Sequence, residues 1–272
     1  MSTSPTQRIA LDARLRHLTV RTVTTLSSAM RRVELEGPDL DGFECFGPSD
    51  HAKVFFPAEP GGVPQLPELT DGRFTNRQDP RYVCRDYTVR TWDPAAGALV
   101  LDMATHAHGP AGRWAAAAEP GHTLGVYGPK TSKLPPMDRA WYLLVADETG
   151  LPALTNWLER LPAEARVLAL AEVDDAAAQV PLPGGLPVTW LHRDGAAAGS
   201  TTLLADAVAA LDLDTAAPGW VWAGAEARAV QAVRKVVTDR GIDRASCSMT
   251  GYWRRGTANF DHKSPEAQGA DA

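Results

Sequence analysis

"WYLLVAD", residues 141–147, is an unbroken apolar run that ends on an acid. A strand with one solvated face alternates apolar and polar residues. A run without alternation predicts a strand covered on both faces. "RVLALAEV" (166–173) reads as a second buried strand, and "LPVTWLH" (186–192), "GWVWAGA" (219–225) and "ASCSMTGYW" (245–253) as a third, fourth and last strand. Between them, "LPALTNWLERLP" (151–162), "STTLLADAVAAL" (200–211) and "EARAVQAVRKVVTDRG" (226–241) have helical spacing, the last stopped by Gly241. Strands alternating with helices predict a parallel sheet in an α/β domain.

Upstream of Asp138 the pattern changes. "TVRTVTTLSSAMRRVELEG" (19–37) predicts two antiparallel strands, and "HAKVFFP" (51–57) a third, ended by Pro57. Residues 58–79 are rich in Pro and Gly and predict a loop. "RYVCRDYTVRTWD" (81–93) and "GALVLDMATH" (97–106) flank the turn-like "PAAG". The fold expected is therefore two domains. An antiparallel Greek-key β-barrel over 18–138 is followed by an α/β parallel-sheet domain over 139–256, with flexible ends at 1–17 and 257–272.

The formal net charge of −6 excludes a general nucleic-acid binder, whose affinity rests on many cation–phosphate contacts. No apolar run reaches transmembrane length, and "MSTSPTQRIALDARLRHL" lacks the apolar segment of a signal peptide. A cytoplasmic monomer with no membrane partner is expected. The three cysteines, Cys45, Cys84 and Cys247, are isolated and form no CxxC pair, which predicts reduced structural thiols.

Ligands of open α/β sheets bind outside the carboxyl ends of the strands. "ADETGLP" (146–152), "AEVDD" (171–175) and "AGAEAR" (223–228) lie at such ends, each with an acid. Asp147 and Glu226 read equally as ribose or catalytic contacts and as helix N-caps. None of these stretches is a GxGxxG fingerprint. His106 and His108 would share one face of a strand, but no third ligand stands at a recognisable spacing, so no metal site is expected. The turn Gly109-Pro110-Ala111-Gly112 opens a short helical stretch. It reads either as a diphosphate cradle or as an ordinary strand-to-helix loop. In "RDYT" (85–88), alternation puts Arg85 and Tyr87 on one face and Thr88 on the other. Such a strand is either half-exposed or built to grip a charged flat ligand. No GxSxG elbow or Ser–His–Asp order supports a hydrolase.

Taken in order, these stretches resemble the siderophore-interacting proteins, NAD(P)H-dependent ferric-siderophore reductases of the ferredoxin–NADP reductase superfamily. The likeness runs over about residues 18–256. "MRRVELEGPDLDGF" (30–43), "DHAKVFFP" (50–57), "RDYTVR" (85–90), "HAHGPAGRWA" (106–115), "PGHTLGVYGPK" (120–130), "ADETGLPAL" (146–154), "WAGAEARAVQAVRK" (222–235) and "GYWRRG" (251–256) are similar to successive family motifs.

The resemblance implies FAD in the barrel, with Arg85 on the diphosphate, Tyr87 on the ribityl chain or ring and Thr88 on a ring nitrogen. His106, Gly109, Ala111 and Trp114 would line the diphosphate and adenine side. It implies NADPH or NADH over Asp147, Glu148, Thr149, Ala223, Gly224 and Glu226. A ferric siderophore would bind at basic residues, with Lys53, Lys130, Arg254 and Arg255 as candidates and Lys133 beside them. Lys130 and Lys133 read more readily as solvated surface charges, and Tyr252 and Trp253 either shield the flavin or pack the last strand, packing being the favoured reading. Gly150 departs from the family's usual Ala, and "GAEA" from a commoner "GEA". A ferredoxin donor, a diaphorase acting on other acceptors, and a siderophore-binding protein with little turnover are the alternatives.

Overall fold

The computed structural model describes residues 4–70, 73–76, 79–107, 109–183 and 186–260. It divides into two compact units, Thr6–Pro135 and the chain from Pro136 onward, the latter joined by the residues before Thr6.

The first unit contains β1 (Gln7–Ala10), β2 (Leu15–Ser27), β3 (Met30–Glu36), β4 (His51–Phe56), β5 (Leu69–Thr70), β6 (Arg73–Phe74), β7 (Val83–Thr88), β8 (Thr91–Asp93), β9 (Ala98–Ala104), helix α1 (Pro110–Ala116), β10 (Thr123–Tyr127) and β11 (Thr131–Leu134). Seven strands pair in the order β7-β4-β10-β2-β3-β9-β8, all antiparallel. β10 inserts between β4 and β2, so sheet neighbours are not chain neighbours, as in a Greek key. Strands β7 and β8 follow one another in sequence yet occupy opposite edges. The Val89 N–H donates to the carbonyl of Asp50 (2.8 Å) and the next, of Arg90, to that of Val100 (3.0 Å). One residue thus bonds beside each edge, and the sheet must curl on itself.

The interior holds Val33, Leu35, Ala52, Val54, Leu99, Leu101 and Met103, all completely buried. Helix α1 lies against β4, β7 and β9. The Arg31 guanidinium donates to the carbonyls of Ala115 (3.0 Å) and Ala116 (2.7 Å), satisfying acceptors that a helix C-terminus leaves open.

Two expectations are corrected here. The N-terminal stretch expected to be flexible contains β1, which pairs with β11 from Gln7↔Leu134 to Ala10↔Thr131. The stretch 58–79 is not all loop, because β5 and β6 form a short hairpin within it. Phe74 of that hairpin packs on Tyr127 (4.5 Å) and Phe55 (5.6 Å), which gives an otherwise polar loop an apolar anchor. β11 has no alternating pattern and escapes a sequence reading. Residues 261–272 lie outside the described residues.

The second unit contains β12 (Trp141–Ala146), α2 (Leu151–Arg160), β13 (Arg166–Val173), β14 (Val188–His192), α3 (Leu203–Ala210), β15 (Gly219–Glu226), α4 (Ala227–Asp239) and β16 (Cys247–Trp253). Its sheet is parallel, in the order β14-β13-β12-β15-β16. Trp157 of α2 meets Tyr142 and Trp222 on one face (6.2 and 6.4 Å). Val208 of α3 and Val230, Val233 and Val237 of α4 join Leu143, Val145, Val221 and Ala223 in one cluster on the other. Helices on both faces explain why β12 is apolar without alternation. The strand order reverses between β12 and β15, which places the ligand crevice at their carboxyl ends.

In the barrel, Asp102 accepts a bidentate pair from Arg32 (2.7 and 2.8 Å) and lies 3.7 Å from the Nε of Arg90, beside the crossing. Asp102 and Arg90 are both buried. Asp102→Ala leaves a buried guanidinium without this carboxylate and is expected to lower unfolding free energy by about 3 kcal/mol. Urea titration checks this; a loss below about 1 kcal/mol, the worth of an exposed pair, would refute the assignment.

Candidate functional site

In the second unit, Asp147 directly follows β12 and is buried. Its Oδ1 accepts the Thr149 N–H (2.8 Å), the Thr149 hydroxyl (2.6 Å) and the Gly150 N–H (3.3 Å). Its Oδ2 accepts the Glu226 N–H (2.8 Å) and the Trp253 indole N–H (2.7 Å). A carboxylate offers about four lone-pair sites, so these donors saturate it. Burial, then the neighbouring charge of Glu148, raises its pKa from 3.8 to about 6.

Glu226 ends β15 and is also buried. Its Oε2 caps α4 by accepting the N–H groups of Arg228 (2.6 Å) and Ala229 (3.0 Å), and its Oε1 accepts the Arg255 N–H (3.1 Å). Of the two readings left open by the sequence, these hydrogen bonds favour internal capping over ligand contact for both acids.

Glu148 pairs with Arg193 through two bonds, 3.0 and 2.6 Å. Arg193 Nη1 also lies 3.7 Å from Glu172, whose Oε2 accepts the Thr201 hydroxyl (2.8 Å). Burial raises the pKa of Glu172. Sequence reasoning missed Arg193 and Thr201. The available signal was position: Arg193 follows the strand "LPVTWLH" directly, and strand ends are where ligands bind.

Gly150 and Gly224 bring the β12–α2 turn and β15 into close approach. A Cβ at Gly150 would lie 2.0 Å from the Gly224 carbonyl oxygen, and one at Gly224 would lie 2.8 Å from the Trp222 ring and 2.9 Å from the Tyr252 ring. The departure from Ala at position 150 is therefore a packing requirement of this chain. Ala223 is fully buried on the same strand.

In the first unit, β7 registers Arg85 against Val54, Asp86 against Lys53, Tyr87 against Ala52 and Thr88 against His51. Paired residues share a face, so Arg85 and Tyr87 point with the interior residues Val54 and Ala52. The Arg85 Nη1 donates to the Cys84 carbonyl (2.6 Å). Tyr87 is half-buried, and burial pushes its phenol pKa up. Phe56 lies between Tyr87 (5.9 Å) and Trp114 (5.6 Å). Thr88 is buried.

A pocket of about 460 Å³ is lined by Thr105, His106, Ala107, Arg113 and Ala116. Beside it Gly109 adopts φ 76°, a left-handed conformation that favours glycine. A Cβ on Gly112 would lie 2.5 Å from the His106 ring, so a bare backbone is needed there. Ala111 is mostly buried in α1. Trp114, expected to line the ligand, is only 1% exposed and belongs to the barrel core; it fastens α1 to Phe56 instead. His108 lies outside the described residues, and among those described no group of three metal ligands occurs.

Lys53 pairs with Asp86 (2.7 Å) and registers against Tyr127. Lys130 is exposed, with its Nζ 5.0 Å from the Tyr127 ring centre, and Lys133 is exposed on β11. Lys53 and Lys130 thus flank one tyrosine. Arg254 is half-buried and Arg255 exposed, on the turn after β16 in the other unit.

The depression is shallow and open, and its histidine and arginine, with bare glycine backbone beside them, suit an anionic dinucleotide. An antiparallel barrel with such a site, followed by a parallel sheet with a switch-point crevice, defines a flavin- and nicotinamide-binding architecture. Residues 19–133 match the siderophore-interacting FAD-binding domain, and residues 139–256 the siderophore-interacting protein domain.

The chain is 34% identical over 252 residues to the NADPH-dependent ferric-chelate reductase of Escherichia coli, covering 91% of this chain and 96% of that protein. It is 32% identical to the ferric vibriobactin reductase of Vibrio cholerae, covering 85% of this chain and 86% of that protein. A crystal structure of a siderophore utilization protein from T. fusca superposes with a TM-score of 0.89 at 40% identity, covering 95% of this chain and all of that one. The chain belongs to the siderophore-interacting protein family. Its first unit is that family's FAD-binding domain. No helix among the described residues is long and apolar enough to cross a membrane.

The raised pKa of Asp147 has a sign. The folded state binds this proton more tightly than the unfolded chain, so stability is lost as pH rises from about 4 to about 6. A shift of that size corresponds to about 3 kcal/mol. Asp147→Asn has no such titration. Its unfolding free energy relative to the parent should therefore improve by about 2 kcal/mol between about pH 4 and pH 7. Urea titrations at both pH values check this, and a pH-independent difference would exclude the raised pKa of Asp147.

Proposed function

We propose that this chain is an FAD-dependent ferric-siderophore reductase that draws electrons from NADPH or NADH. Support comes chiefly from one observation: both units match domains of the same siderophore-interacting family, in order, across almost the whole chain. The bound flavin supplies the redox chemistry, taking a hydride from reduced nicotinamide and giving up electrons singly, enough for two Fe(III) centres.

The protein's part is to bind and orient. Arg85 offers a guanidinium to the flavin diphosphate, Tyr87 an aromatic edge to the ribityl chain, and Thr88 a donor to the ring system. Gly109, Ala111 and His106 form the backbone and ring wall on the diphosphate side. At the switch point, the saturated carboxylates of Asp147 and Glu226 shape the crevice. Thr149 and Glu148 lie on the turn that would meet the nicotinamide dinucleotide, with Ala223 and Gly224 packed beneath it. Lys53 and Lys130 in the first unit, and separately Arg254 and Arg255 in the second, offer positive charge to an anionic ferric siderophore, against an overall charge of −6.

One observation favours a second reading. The ion pair of Lys53 with Asp86 removes part of that positive charge, which suits a diaphorase acting on less anionic acceptors.

An anaerobic visible spectrum of the FAD-loaded protein tests the proposal. NADPH should bleach the flavin bands, and a ferric siderophore should restore them. Bands that NADPH cannot bleach would indicate another donor, such as a ferredoxin. Bands that quinones restore but ferric siderophores do not would establish the diaphorase. Arg85→Ala should lose most of its FAD on gel filtration; a fully yellow variant would remove Arg85 from the flavin site.

A further inference from the structure

Strand β16 ends in a segment clamped by two buried acids. Asp147 takes the Trp253 indole N–H, Glu226 takes the Arg255 backbone N–H, and Asp147 also takes the backbone N–H of Glu226. The hydrogen bonds and the chain from Trp253 to Arg255 make a closed ring. The Thr257 N–H donates to the Arg254 carbonyl (3.0 Å), so both arginines sit on a tight turn directly beyond the clamp. Gly199 covers the ring: a Cβ there would lie 2.7 Å from the Glu226 side chain and 3.1 Å from the Trp253 ring.

We propose that Asp147 is a positioning residue, whose carboxylate, acting through Trp253 and Glu226, sets the placement of Arg254 and Arg255 and with it their affinity for an anionic ferric chelate. The geometry supports this in three ways. The donors on Asp147 come from its own turn and from the ends of β15 and β16, so one side chain governs three elements. The carboxylate is saturated, so its influence must pass through its partners. Neither acid needs a ligand to complete its hydrogen bonds, so the turn is pre-organised before substrate arrives, which lowers the ordering cost of binding.

The charged groups on the surrounding elements are Glu148 on the same turn, Glu226 on β15, and Arg254 and Arg255 beyond β16. Arg193 and Glu172, from beyond β14 and on β13, engage Glu148. Glu148 is already paired with Arg193, so protonation of Asp147 is the change that would loosen the clamp.

The inference rests on the reading of Arg254 and Arg255 as acceptor-binding residues, and the experiment separates the two. In the FAD-loaded enzyme at about pH 7.5, with a ferric tris-catecholate complex as acceptor, Asp147→Asn should lose kcat/KM mainly through KM, by about fivefold or more. Trp253→Phe keeps the acid and an aromatic ring but removes the indole N–H, and it should raise KM in the same way. It also assigns the Trp253 indole ¹H–¹⁵N resonance. That resonance should titrate with a midpoint at about 6 in the parent and not in Asp147→Asn. An unchanged KM in both variants, with a raised KM in the Arg254→Ala/Arg255→Ala double variant, would overturn the role of Asp147 and leave the acceptor reading standing. An unchanged KM in the double variant would overturn both. A Trp253 resonance that ignores pH in the parent would also overturn the proposal.

Discussion

Two consecutive backbone N–H groups decide the shape of the barrel. Val89 bonds to the residue preceding β4 and Arg90 to β9, so the chain leaves one edge of the sheet and joins the other within one peptide. No flat sheet permits this. The seam is then reinforced by polar groups that have nowhere else to go. Asp50, whose carbonyl receives Val89, turns its carboxylate to the N–H groups of Phe46, Gly47 and Lys133. Gly47 sits so close to β11 that a Cβ would lie 2.1 Å from the Lys133 carbonyl oxygen. β7 runs straight into the crossing, so closure of the sheet also fixes the strand that carries Arg85, Tyr87 and Thr88.

The second unit is organised by a line of polar contacts across its carboxyl ends. Arg193 beyond β14 reaches Glu172 on β13 and Glu148 beyond β12. Asp147, next to Glu148, reaches Glu226 on β15 and Trp253 on β16. All five strand ends are joined in this way. Buried charges are expensive unless paired or hydrogen-bonded, and here each acid has partners from other strands. The sheet's apolar interior thus ends in a polar layer that sets the register of the loops above it.

Much of this was legible in the sequence. The unbroken run at 141–147 fixes a strand covered on both faces, and Trp157 on one side with Val230, Val233 and Val237 on the other explain it. Alternation in "RDYT" correctly separated Arg85 and Tyr87 from Asp86 and Thr88. The roles of single residues were less legible. Trp114 has the residue type of a ligand platform, but only the packing of α1 on Phe56 shows that it faces inward. Asp147 and Glu226 stand where a ribose contact is expected, and local sequence cannot reveal that Trp253 and Arg255, far along the chain, use up their oxygens. β1 and β11 were invisible because their pairing spans more than a hundred residues and neither strand carries an alternating pattern.

The acids at the switch point pose a physical problem for a crevice proposed to take an anionic dinucleotide. Free carboxylates there would repel its phosphates, and helix N-termini alone offset only a modest part of such a charge. The arrangement of donors resolves the conflict. The carboxylates of Asp147 and Glu226 are directed at backbone N–H groups and an indole within the fold, and those of Glu148 and Glu172 at one guanidinium. Beyond β16 lie two cations, the half-buried Arg254 and the exposed Arg255. A stretch that reads as acidic in sequence therefore presents a far less negative surface than its composition suggests. The acids act as internal fasteners of the strand ends.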